Sequence, residues 1–398
     1  MIHTLFSVSH SVAFVVALMV VVVALGCRED TESPTALEPG PSLEIAAASA
    51  PSFLWVNAGA HHTCGVAVNN LAYCWGWNSQ GQLGDGTNTT QLHPVRVARG
   101  LSFRQVSAGA VHTCGVTLDD LAYCWGDGAL GRLGSGAISN RLRPAAVIGG
   151  LRFRHASAGF THTCGVTLND RAYCWGDNVD GALGDGTHNN HLAPALVAGG
   201  LRFLRVSVGA LHTCGLTRDN RAYCWGNNGA GQLGDGTNSD RLKPVPVVGG
   251  LRFIQVSAGN AHTCGLTLDN RAYCWGENVF GSLGDGTGAN QTKPVAVAGG
   301  LHFLHLSADI SRSTCGVTTD NRPYCWGLNH DGQLGDGTTT DRFTPVAVSG
   351  NLQLRQVNSG FHTCGVTLGF RAYCWGPNDR GQLGDGTTDR RLVPVPVK

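Results

Sequence analysis

From Phe53 to the C-terminus the sequence returns to nearly the same words every 50 residues, with one residue more in the sixth copy and one fewer in the seventh. A Trp-Gly pair marks each copy, at Trp75, Trp125, Trp175, Trp225, Trp275, Trp326 and Trp375. A period of this kind restricts the chain to an array of like supersecondary units, none of which buries its apolar surface alone. One copy reads "LRFIQVSAG", "HTCGLTL", a turn, "RAYCWG", a long loop containing "GSLGDGT", and "PVAV". Four short runs separated by Gly, Asn, Asp and Pro predict a four-stranded antiparallel meander. Seven meanders packed radially predict an all-β, seven-bladed β-propeller.

The words "GQLGDGT", "PVxV", "VSAGxxHT" and "YCWG", in that cyclic order, set the chain apart from kelch-type propellers. They resemble the regulator of chromosome condensation repeat family. The resemblance runs from residue 53 to residue 398 and implies the seven-bladed fold. It implies less about activity: the eukaryotic founder is a nuclear exchange factor for a small GTPase, whereas other members are secreted bacterial binding proteins. Function belongs to sites grafted on a fold, not to the fold itself.

Each copy carries two cysteines ten residues apart around "TLDNR" or its equivalent. A type I turn at Leu268 and Asp269, followed by Asn270 in the left-handed conformation, makes a three-residue hairpin loop. Thr267 then faces Arg271, and counting outward sets Cys264 opposite Cys274 at a non-hydrogen-bonded position. There Cα atoms approach to about 4.5 Å, which a disulfide tolerates. The same register pairs Cys64 with Cys74, Cys114 with Cys124, Cys164 with Cys174, Cys214 with Cys224, Cys315 with Cys325 and Cys364 with Cys374. The competing zinc reading, with His262 as a third ligand, fails in the sixth copy, where Ser313 replaces the histidine while both cysteines stay. One disulfide per blade uses 14 of the 15 cysteines and leaves Cys27.

Residues 1–26 read as an export signal. The apolar run 12–25 is shorter than the ~18 residues of a membrane span, and it leads into "ALGC". That segment resembles the lipobox of bacterial lipoproteins and makes Cys27 the expected lipidation site. It departs from the pattern at Ala24, and the first ten residues carry no lysine or arginine; an ordinary secretory signal and an uncleaved anchor are the alternatives. Residues 27–50, which hold four of the five glutamates and three prolines, read as a flexible tether. Residues 51–398 form the propeller. The expected location is the cell envelope, membrane-anchored at the outer membrane or cell surface, or else secreted.

With a formal charge of +1 and 14% charged residues, the chain lacks the basic surface of a nucleic-acid binder. One histidine per copy cannot converge on one ion, and the single aspartates of "LGDGT" suit turn-forming bonds better than a calcium loop. No cofactor, metal or catalytic residue is assigned. The loops joining strands one to two and three to four share one face, and their variable residues His61, Trp77, Val111, Leu130, Phe160, Leu211, Phe280, His330, Phe361 and Arg380 form the candidate partner-binding set. The opposite face carries Arg–Asp pairs such as Arg271 and Asp269, read as a solvated rim. The expected function is a monomeric, non-enzymatic module that binds a protein or surface polymer. Two alternatives stand beside it: an enzyme at the channel mouth using Asp309, Arg312, His61 or His330, and an exchange-factor-like regulator.

Overall fold

In the computed structural model, which describes residues 50–308 and 310–398, the copy beginning at Phe253 forms the strands Phe253–Ala258, His262–Thr267, Ala272–Gly276 and Gln291–Ala296. They pair antiparallel in chain order. Among the described residues, 28 strands form seven such sheets, and no sheet borrows a strand from a neighbouring copy. The expected signal segment, the lipidation site Cys27 and the tether up to residue 49 lie outside the described residues, as does Asp309. The described residues belong to one compact unit, Ser49–Lys398.

The hairpin has the expected turn. Asn270 N–H donates to the Thr267 carbonyl at 3.0 Å, Thr267 N–H to the Arg271 carbonyl at 2.9 Å, and Asn270 has φ 64°. The register that follows sets Cys264 opposite Cys274, and all seven bridges form within their own hairpins. The Cα separation across Cys264–Cys274 is 4.1 Å, at the close end for a facing pair.

The bridges lie between blades. Cys64, Cys74, Val66 and Leu83 of the first blade pack against Phe103, Val106 and Trp125 of the second. The same cluster recurs where the ring closes, with Cys364, Cys374, Val366 and Leu383 against Phe53, Val56 and Trp75. Each buried aromatic removes a large apolar surface from water, worth about 1.5–3 kcal/mol. The glycine after each first cysteine makes room for this: a Cβ on Gly65 would stand 2.7 Å from the Phe53 ring. The outermost strands carry the "PV" prolines, such as Pro294 in Gln291–Ala296, where an absent N–H costs no ladder bond.

A circle of hydrogen bonds joins the inner strands. Asn57 Oδ1 accepts from Ala108 N–H (2.5 Å), and the hydroxyls of Ser107, Ser157, Ser207, Ser257 and Ser307 accept from Ala158, Val208, Ala258, Ala308 and Ser359 at 2.9–3.2 Å. Asn358 Oδ1 closes the circle on Ala58 N–H at 2.7 Å. The two asparagines stand on either side of the seam between the last blade and the first.

Candidate functional site

The variable loops rest on a rigid layer built from the repeat itself. Gly59 N–H bonds the His62 carbonyl (2.9 Å), Ala60 N–H bonds the Gly109 carbonyl of the next blade (3.2 Å), and Trp77 N–H bonds the His61 carbonyl (2.8 Å). A Cβ on Gly59 would stand 2.3 Å from that Gly109 oxygen, so only glycine lets adjacent loops approach this closely.

Beneath the loops, the recurring histidines tie one blade to the next at six of the seven junctions. His212 Nε2 lies 2.8 Å from Thr263 Oγ1, which donates its single proton to the Gln232 carbonyl at 2.8 Å. His212 therefore donates from Nε2, and its buried Nδ1 has no partner among the described residues. Trp275 Nε1 donates to the same Gln232 carbonyl at 2.9 Å. Burial holds His62, His162, His212 and His362 near a pKa of about 3 and His262 near about 4, so all stay neutral. These histidines act as rivets between blades.

Six of the seven long loops are organised by an asparagine that sequence alone did not single out; blade two has Gly128 in its place. Asn228 accepts from Leu233 N–H at 3.0 Å and donates to Asp235 Oδ1 and the Thr237 carbonyl at 3.2 and 3.0 Å. Asp235 accepts from Thr237 N–H at 2.9 Å and pairs with Arg241 at 2.8 Å. Burial pushes the Asp235 carboxyl upward, but bonds from Thr237 and Arg241 outweigh it and leave the group below its ordinary value. The "LGDGT" aspartates are turn-forming groups.

Six candidate residues converge on this platform. His61, Trp77, Val111, Phe160, Phe361 and Arg380 line one depression of about 230 Å³, drawn from blades seven, one, two and three. His61 meets the Phe361 ring edge-on at 5.2 Å and the Trp77 ring at 5.9 Å. Burial lowers the His61 pKa; Asp379 opposes that shift and Arg380 adds to it. A second depression of about 630 Å³ shares His61 and Phe361 and continues to Ile310, Arg312, Leu328 and Arg390. Phe280 and His330 join through Arg312: the two rings meet at 5.9 Å, and the Arg312 guanidinium lies 5.6 Å over Phe280 while pairing with Glu277 at 2.7 Å. Leu130 and Leu211, 39% and 37% exposed, line neither depression.

The opposite face forms ion pairs at Arg221–Asp219 (3.1 Å) and Arg271–Asp269 (3.4 Å), while Asp170 takes Arg154 and Arg218 at 2.8 and 2.6 Å. Its hairpin tips also expose Val68, Leu118, Leu168, Leu268 and Leu368.

A family model described as the RCC1-like domain matches residues 22–317, and the regulator of chromosome condensation (RCC1) repeat matches residues 320–366 and 371–398. A search of curated proteins finds no match. Among solved structures, yeast RCC1 (Prp20) in its complex with Kap60 superposes with a TM-score of 0.74 at 21% identity, over 84% of this chain and 85% of that one. Human WBSCR16 gives 0.75 at 19%, over 82% and 94%. The ectodomain of the Physcomitrella patens receptor kinase CR4 gives 0.54 at 21%, over 81% and 72%. At these identities the likeness is one of fold. With seven four-stranded blades in chain order and a family match across most of its length, the chain belongs to the regulator of chromosome condensation (RCC1) repeat family.

Proposed function

We propose that this propeller is a non-enzymatic protein-binding module that works outside the cytosol, exported by residues 1–26 and held to a membrane through lipid on Cys27. The observation that carries the binding reading is the convergence of His61, Trp77, Val111, Phe160, Phe361 and Arg380, from four blades, on one concave apolar patch. Aromatic and arginine anchors in a shaped depression are the residues that dominate protein-protein affinity. Yeast Prp20, which shares the fold, is itself seen bound to a protein, Kap60. Seven buried disulfides support an oxidising compartment, and a cytosolic exchange-factor role is harder to reconcile with them. The enzymatic alternative loses ground because Arg312 is already paired with Glu277 and His61 is held edge-on between the Trp77 and Phe361 rings.

The test is capture of the partner from native envelope with the full chain, followed by substitution at the two faces. Alanine at Phe160, Phe361 or Trp77 is expected to cost about 1–3 kcal/mol of binding, whereas Arg271→Ala on the far rim costs at most about 1 kcal/mol. A larger loss at Arg271 places the working surface on the other face and overturns the proposal.

A further inference from the structure

The central channel holds a second set of groups that the partner-binding face does not use. Every inner strand points one side chain into the channel two residues before the Ser/Asn circle. In three blades it is a glutamine, and each is spent on the wall: Gln105, Gln255 and Gln356 donate to the carbonyls of Ala156, Leu306 and Val56 at 2.6–2.8 Å. The other four blades place Trp55, His155, Arg205 and His305 there, and these are not spent. Arg205 is exposed to the channel, and its guanidinium makes no hydrogen bond or ion pair with any described residue. Trp55 Nε1, His155 Nδ1 and His305 Nδ1 are buried polar atoms without partners among the described residues, and they line the same channel as the free guanidinium.

These residues line a cavity of about 390 Å³ at the mouth on the hairpin-tip face. A narrower one of about 210 Å³ continues inward, sharing His155, Arg205 and His305. Beyond the Ser/Asn circle the channel shrinks to about 100 Å³. Neither of the two wider cavities is lined by an aspartate or glutamate. At the rim, Arg104 and Arg154 add positive charge, though each already pairs with an aspartate, Asp120 at 2.6 Å and Asp170 at 2.8 Å. A guanidinium with all five donors free, in a channel mouth lined by other polar side chains and no carboxylate, is the arrangement that recognises carboxylate and phosphate oxygens.

We infer that the channel mouth is an anion-binding site, taking a carboxylate or phosphate group onto Arg205, flanked by His155 and His305 and faced by the Trp55 indole N–H. The two histidines give the site a proton-linked signature. Burial, and next the Arg205 charge, hold both at a pKa of about 4 in the free protein. Arg205 is the charged group acting on both, with Arg104 and Arg154 at the rim; a bound anion reverses the local sign and raises both values. The complex then holds protons that the free protein does not, so affinity rises as pH falls toward about 4.

The experiment is isothermal titration calorimetry of the full chain with citrate and with inorganic phosphate at fixed ionic strength, at pH 7.5 and pH 5.5, in buffers of differing ionisation enthalpy. One saturable site is expected, tighter at pH 5.5, with proton uptake on binding and a loss of about tenfold or more in Arg205→Gln. Arg371→Gln, which removes an exposed charge on the same face, is expected to change nothing beyond a general salt-like effect, and melting curves check that both variants fold. The carboxylate has two sources, a separate molecule or the chain's own acidic segment. Replacing Glu29, Glu32, Glu38 and Glu44 by Gln in the full chain tightens citrate binding if that segment competes, and leaves it unchanged if the ligand comes from outside. No saturable binding in the segment-neutralised chain, or equal affinity in Arg205→Gln, overturns the assignment.

Discussion

The rivet between blades makes a prediction that the protein supplies with its own control. Thr263→Val keeps the shape of the side chain and removes its hydroxyl. His212 Nε2 then loses its only acceptor, 2.8 Å away, inside a site with no solvent exposure. The Gln232 carbonyl also loses Thr263, but Trp275 still donates to it at 2.9 Å. The cost is therefore that of one buried orphaned donor, about 1–3 kcal/mol. Thr363 occupies the same place at the junction of blades six and seven, where Ser313 stands instead of the histidine. Its hydroxyl donates to the Gln333 carbonyl at 2.8 Å, and Trp375 backs up that carbonyl at 3.0 Å. Thr363→Val orphans no histidine and is expected to cost less than about 1 kcal/mol. Urea denaturation of the two variants with disulfides intact measures the difference. Equal destabilisation at both positions would refute the claim that the histidine bond, and not the threonine's local packing, holds the blades together.

Acid should loosen the ring well above the carboxylate range. The unfolded chain protonates its histidines near pH 6.5, while His62, His162, His212, His262 and His362 resist protonation down to about 3–4 when folded. Stability is therefore complete above pH 6.5 and lost on the way down, by about 1 kcal/mol per histidine between pH 6.5 and pH 5.5; a flat stability over that interval contradicts neutral burial. Peptide mapping without reduction should find seven bridges, each within one hairpin, and the native protein should resist dithiothreitol because every bridged sulfur is fully buried. Replacing Cys264 and Cys274 together by Ala should cost about 2–3 kcal/mol, measured by denaturation. Cys27→Ser should release the protein from the membrane fraction, and acyl chains found at another residue, or at none, would reject lipid anchoring.

The fold was legible because its evidence is local and repeated. The turn at Leu268–Asn270 sets the hairpin register, and the register alone brings Cys264 to Cys274. The binding face was legible only in part: loop variability pointed to Trp77, Phe160 and Phe361, which meet, and equally to Leu130 and Leu211, which do not join them. Variation marks a loop as unconstrained, while convergence depends on how blades seven, one, two and three turn toward each other. The His212–Thr263 rivet joins residues 51 apart in different sheets, a distance at which no pattern within one copy speaks. The channel set was hidden for another reason. Trp55, His155, Arg205 and His305 occupy a single column of the repeat, but the column becomes a ring only when seven inner strands face one axis.

The locality of the bridges has a mechanical consequence. Each disulfide clamps one hairpin, and each sheet is complete within one copy, so among the described residues nothing covalent crosses the seam where Asn358 meets Ala58. A force pulling the first and last blades apart meets only hydrogen bonds, among them Phe53 N–H to the Phe370 carbonyl (2.8 Å) and Phe361 N–H to the Gly59 carbonyl (3.2 Å), and apolar contact at that junction, and opens the circle there as an unclasped necklace opens. The beads remain whole, because their clamps do not share the load. Such a molecule yields at a defined place, yet keeps every piece in a condition to close again.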